Sequence, residues 1–106
     1  GAEILAMDAG DEILGWVAVD CVHSVIRMLC MNLGRGNLES PPEGADRISA
    51  DSLMRAAASY GANHGAYRIE CRIPALYQQL RIAGFEKQGD TVVAGLEKIV
   101  RYTGGK

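Results

Sequence analysis

The N-terminal part of the chain is apolar at both odd and even positions, a pattern of strands rather than of a one-sided helix. Glu3-Ile4-Leu5-Ala6-Met7 is a short apolar run, and Asp8-Ala9-Gly10-Asp11 after it has turn chemistry, so a hairpin is expected. Its second arm, Ile13 to Val19, sets Ile13, Val17 and Val19 on one parity and Leu14, Trp16 and Ala18 on the other. Such a strand belongs inside a sheet with both faces covered. A turn near Asp20 leads to a third strand, Val22 to Met31, in which Arg27 alone is charged.

The pattern then breaks. From residue 32 to 48, Gly34, Gly36, Pro41, Pro42 and Gly44 interrupt any regular element, and Glu39, Glu43 and Asp46 make this long loop net acidic. Ser49 stands as the N-cap of a helix whose stripe is Leu53, Ala56, Ala57 and Tyr60, with Asp51 and Arg55 paired one turn apart. After Gly65, the residues Tyr67, Ile69, Cys71 and Ile73 alternate with Arg68, Glu70 and Arg72, as in a half-buried strand. Pro74 opens a second helix lined by Leu76, Tyr77, Leu80 and Ala83 and stopped by Gly84. Phe85 to Lys87, a turn at Gly89-Asp90 and a strand from Val92 to about Arg101 finish the chain, and Thr103 to Lys106 form a frayed tail.

The order β-β-β-α-β-α-β-β describes a single α/β (α+β) domain over residues 1–106, with helices packed on a mixed, mostly antiparallel sheet. The third and fourth strands flank a helix and so run parallel. Ligands of open sheets sit beyond the carboxyl ends of parallel strands, here the mouth between Met31, the long loop and the first helix.

Charge and composition narrow the function. Eleven basic against thirteen acidic residues give a net charge of −2, with no basic block for nucleic acid. Apolar runs fall short of a membrane span, and a soluble, cytoplasmic protein is expected. Cys21, Cys30 and Cys71 lie in apolar segments as reduced core residues, and with His23 and His64 as the two histidines no metal-ligand set is apparent.

Several stretches together resemble the GNAT superfamily of N-acyltransferases. Glu12-Ile13-Leu14-Gly15-Trp16 is similar to the arm of its second hairpin, and Arg27-Met28-Leu29-Cys30-Met31 to the strand before its cofactor loop. Arg55-Ala56-Ala57 through Gly65-Ala66-Tyr67-Arg68-Ile69-Glu70 resembles the helix and strand that come next, and Ala75-Leu76-Tyr77 with Gly84-Phe85-Glu86 the family's ending. The resemblance implies acyl transfer, typically acetyl, from acetyl-CoA or another acyl-CoA to a small-molecule or protein amine, without a metal. It assigns the cofactor's pyrophosphate to a glycine-rich loop and the next helix N-terminus, hence to Met31, Gly34, Arg35, Gly36, Ser49 and Ala50. The family's loop signature, Arg or Gln then two residues, Gly, one residue and Gly or Ala, is absent; Gly34-Arg35-Gly36 stands there instead.

Catalytic candidates are Tyr77, Glu70 and His23. The family's acid is a tyrosine four residues before Gly-Phe, where this chain has Leu80; Tyr77 lies nearly one turn earlier, about 4.5 Å along the axis, and either packs in the core or serves as the acid. Glu70 and His23 are candidate bases, or a solvated strand residue and an ordinary turn histidine. The family core normally starts with a further strand and two helices on the acceptor side, and this chain starts at the second strand. A homodimer is expected to cover that surface. A non-catalytic, dimeric GNAT-like interaction module is the alternative to an enzyme.

Overall fold

The computed structural model describes residues 1–10 and 12–100. Among the described residues six strands form one sheet: β1 (Glu3–Ala9), β2 (Glu12–Val22), β3 (Val25–Asn32), β4 (Arg68–Cys71), β5 (Glu86–Gln88) and β6 (Thr91–Gly95). Helix α1 (Ala45–Asn63) lies between β3 and β4; a 3-10 turn (Pro74–Leu76) and helix α2 (Tyr77–Ile82) lie between β4 and β5. The spatial order is β1-β2-β3-β4-β6-β5, with β3 and β4 parallel and every other neighbouring pair antiparallel. This is the mixed, mostly antiparallel α+β architecture that the hydrophobic pattern anticipates.

Alternation decides which residues are buried. Val17 and Val19 of β2, Ile26 and Met28 of β3, Ile69 and Cys71 of β4, and Val92 and Ala94 of β6 all point to one face. There they meet Leu53, Met54, Ala57 and Ala58 of α1 and Leu80 of α2 in a single core. At Gly61 the last turn of α1 comes so close to β3 that a Cβ would stand 2.7 Å from Ile26 Cβ and Cγ2.

The opposite face carries no helix of the described residues. Here Ile4 is opposite Ala18, Ala6 opposite Trp16 and Asp8 opposite Ile13, with Cys30 and Val22 on the same side. Ile4 is 58% exposed and Ile13 65%. The sequence expectation that β2 is covered on both faces is therefore corrected: β2 is an inner strand, but one face lies open. Apolar residues at both parities have the same pattern whether the second cover comes from the same chain or from elsewhere.

Several boundaries also move. The turn expected near Asp20 lies at His23–Ser24, where both residues have positive φ (53° and 65°), as a two-residue hairpin requires. Helix α1 starts at Ala45, not Ser49: Gly44 enters it at φ 57° and Asp46 sits in its first turn, where the helix dipole favours an anion. The last strand stops at Gly95, paired with Arg68 at the start of β4, and a 3-10 turn, Leu96–Lys98, comes after it. Cys21 is exposed and Cys30 half-buried, so of the three cysteines only Cys71 belongs to the core. The expectations placed on Asp11, Arg101 and the tail lie outside the described residues. No described helix is long and apolar enough to cross a membrane.

Candidate functional site

The mouth between the parallel strands has a definite cause. β3 and β4 pair only from Val25/Arg68 to Met28/Cys71. One residue on, β3 bulges: Val19 is opposite Met28 but Ala18 is opposite Cys30, which leaves Leu29 as the extra residue. A bulge bends its strand and re-aims the residues after it. β3 thus stays with β2 while the chain beyond β4 turns into Ile73 and Pro74, and the two parallel strands part.

The loop from Leu33 to Gly44 closes over this opening. Leu38 N–H donates to Met31 C=O at 2.8 Å, and Asn37 forms an isolated antiparallel bridge with Asn32. Pro42 is buried, and Leu33 and Leu38 pack on the core. The loop residues and the start of α1 themselves wall an open surface hollow of about 660 Å³, with Arg35, Gly36, Glu39, Glu43 and Asp46 among its lining.

The expected cofactor residues take up different roles. Met31 is buried, with its carbonyl given to Leu38. Gly34 and Gly36 adopt φ of 96° and 93°, and Gly34 N–H donates to Asn32 Oδ1 at 2.7 Å, so a turn explains both glycines. Arg35, with its side chain 80% exposed, pairs with Asp46 at 3.1 Å. Asp46 N–H bonds to Glu43 C=O and Arg47 N–H to Gly44 C=O, which satisfies two of the donors an anion would use at the start of α1. Ser49 and Ala50 lie inside α1, past the four free N–H groups of its first turn, and Ala50 is buried in the core. The placement of Ser49 and Ala50 at an anion-binding helix start is therefore corrected.

The three catalytic candidates are not brought together. His23 is the exposed turn between β2 and β3, at the end of β3 opposite the mouth. Glu70 is on the open face, where its Oε2 accepts from Arg72 Nε at 3.1 Å. Tyr77 packs against the core on the helix side, and its hydroxyl donates to the Asp90 carbonyl at 2.6 Å. Burial raises its pKa, with the nearby Cys71, Asp90 and Glu70 adding to the effect. Leu80, where the family would have its tyrosine, is buried in the core. Among the described residues no three His, Cys, Asp or Glu side chains converge as a metal site would need.

Sequence reasoning missed the feature that organises the open face. Asp20 of β2, Arg27 of β3 and Glu70 of β4 are cross-strand neighbours in one row. Arg27 donates from Nε and Nη2 to the two Asp20 oxygens at 2.7 and 2.6 Å, a bidentate pair. The side-chain bond to Arg27 holds the Asp20 carboxyl below its ordinary pKa, and the same bond raises that of Arg27. With Arg72 beside Glu70, the row is self-neutralising. The signal available was the spacing of Asp20 and Arg27 about a two-residue turn, hidden by the lack of Gly or Asn in that turn.

A depressed carboxylate pKa contributes stability above its unfolded value of about 3.9, and that contribution is lost as pH falls through the folded value. Asp20→Asn is therefore expected to cost about 0.5–1 kcal/mol at pH 7, small because the pair is partly solvated. In urea titrations the gap from wild type is expected to hold down to about pH 5 and shrink below about pH 4. A gap that persists unchanged at lower pH would refute the assignment.

Comparison with family models, curated proteins and solved structures returns no match to this chain.

Proposed function

We propose that this chain is a non-catalytic GNAT-like module that works as a homodimer, with the open sheet face as its interface. The carrying observation is that face: Ile4, Ile13 and Val22 exposed, Trp16 and Cys30 half-buried, and a self-neutralised charge row beside them. Apolar side chains exposed on both sides of that row are costly in water and mark an interaction site. The balanced charges raise no like-charge barrier against an identical copy. The state of the mouth supports the same reading, since Arg35 and Met31 already have partners within the chain, and the Tyr77 hydroxyl, away from the mouth, is bonded at the β5–β6 turn.

The cysteines supply a test. Cys21 is exposed, Cys30 lies on the open face, and Cys71 is buried, with burial pushing its thiol pKa up to about 12. With a maleimide at pH 7.5, Cys21 is expected to react at any protein concentration and Cys71 only after unfolding. Cys30 is expected to slow at least about tenfold between low micromolar and near-millimolar protein as the face is covered. Labelling of Cys30 that is independent of concentration would count against the dimer.

A second reading, transfer of an acyl group from acyl-CoA to an amine, is favoured by one observation. The bulge at Leu29 parts the parallel strands at the place where the family resemblance puts the cofactor. Under that reading the loop must move.

A further inference from the structure

On the open face, β2 and β3 carry their side chains in matched levels: Val22 opposite Val25, Asp20 opposite Arg27 and Ala18 opposite Cys30. Given the homodimer reading, on which this geometry rests, we infer that two copies meet about a two-fold axis running along the strands, between β2 and β3. Asp20 of each copy then faces Arg27 of the other.

Rotation about that axis keeps every residue at its level and lays β2 of one copy over β3 of the next. Val22 falls on Val25, Ala18 on Cys30, and Asp20 on Arg27, so each level meets its complement. An axis across the strands does the opposite: each strand lies over itself and the levels are reversed. Asp20 and Arg27 then fall like on like when that axis is at their level, and on uncharged levels when it is not. The first arrangement is repulsive, and the second buries charge without a partner across the interface. The side chains of Asp20 and Arg27 are 17% and 25% exposed and already bonded to each other, so the four groups of a dimer close into a ring of alternating charge. Paired charges at such a place fix register more than they add affinity. Glu70 lies outside the exchanged strands and keeps Arg72 as its partner. Sheets packed face to face hold their strands within about 30° of each other, as this axis requires.

The double change Asp20→Arg with Arg27→Asp keeps the pair within each chain and tests the axis. The variant is expected to fold and to dimerise with itself, but mixed dimers with wild type set acid on acid and base on base. Native mass spectrometry of an equimolar mixture, with the variant isotopically labelled, is expected to show mixed dimers at least about tenfold below their statistical share. A statistical or larger share overturns the axis, as does a folded variant that stays monomeric. A monomeric wild type overturns the dimer reading, and the axis with it. Spin labels at Gln88→Cys, in a chain with Cys21→Ser and Cys30→Ser, decide the matter without the double change. The sheet order sets β5 about three and a half strand spacings of roughly 4.8 Å from the axis, so the two labels are expected about 30–40 Å apart. A separation under about 20 Å means that the axis crosses the strands, and overturns the inference.

Discussion

Gly61→Ala is expected to destabilise the domain, although alanine is the better helix former. The new methyl would stand 2.7 Å from two carbons of Ile26, and both are close to the backbone of an inner strand, so neither can swing aside. Overpacking of this kind costs about 1–3 kcal/mol or more. The helix gains at most about 1 kcal/mol from losing a glycine, and less here because Gly61 lies in the last turn of α1. The steric term wins, for a net loss on the order of 1–2 kcal/mol and a fall in Tm of roughly 5–10 °C. Thermal melts monitored by circular dichroism measure this directly. An unchanged or higher Tm would mean that α1 does not sit this close to β3, and with it the placement of the core would be in question.

Ile4→Glu is expected to abolish self-association while leaving the monomer folded. Ile4 is more than half exposed on β1, so a glutamate there meets water in the isolated chain. In a two-fold dimer through the open face, each interface would bury the new carboxylate twice, once from each copy. An uncompensated charge at such a place costs on the order of 3 kcal/mol, which weakens the dimer by more than about a hundredfold. Sedimentation velocity of the variant is expected to show monomer at concentrations where wild type is dimeric, with an unchanged far-ultraviolet spectrum. A variant that still sediments as a dimer would remove the open face from the account.

Much of the element order was legible because the periods are clear. Ile69 and Cys71 alternate with Arg68 and Glu70, and the strand they form is half-buried in that sense. Leu53, Ala57 and Leu80 fall on helix stripes and are buried. What stayed hidden depends on interactions that leave no local mark. His23 and Ser24 take up a left-handed turn without glycine or asparagine, so Asp20 read as the turn when it is a strand residue held by Arg27. α1 begins at a glycine instead of a serine cap, so Ser49 was displaced from the interior of the helix to its start.

The candidate site was legible in place but not in state. Parallel strands with a long loop at their carboxyl ends located the mouth, yet nothing local shows that Leu38 bonds back to Met31 or that Arg35 finds Asp46. Those contacts are long-range, and they tie the same residues into a closed loop. The bulge at Leu29 is likewise a property of two strands and not of one.

The proposed role of the open face is to join two copies of the chain. Light scattering coupled to size exclusion at tens of micromolar protein tests it most directly. A mass of about twice the 11.4 kDa chain is expected, falling toward one chain on dilution. A mass of one chain that persists to near-millimolar concentration would contradict it.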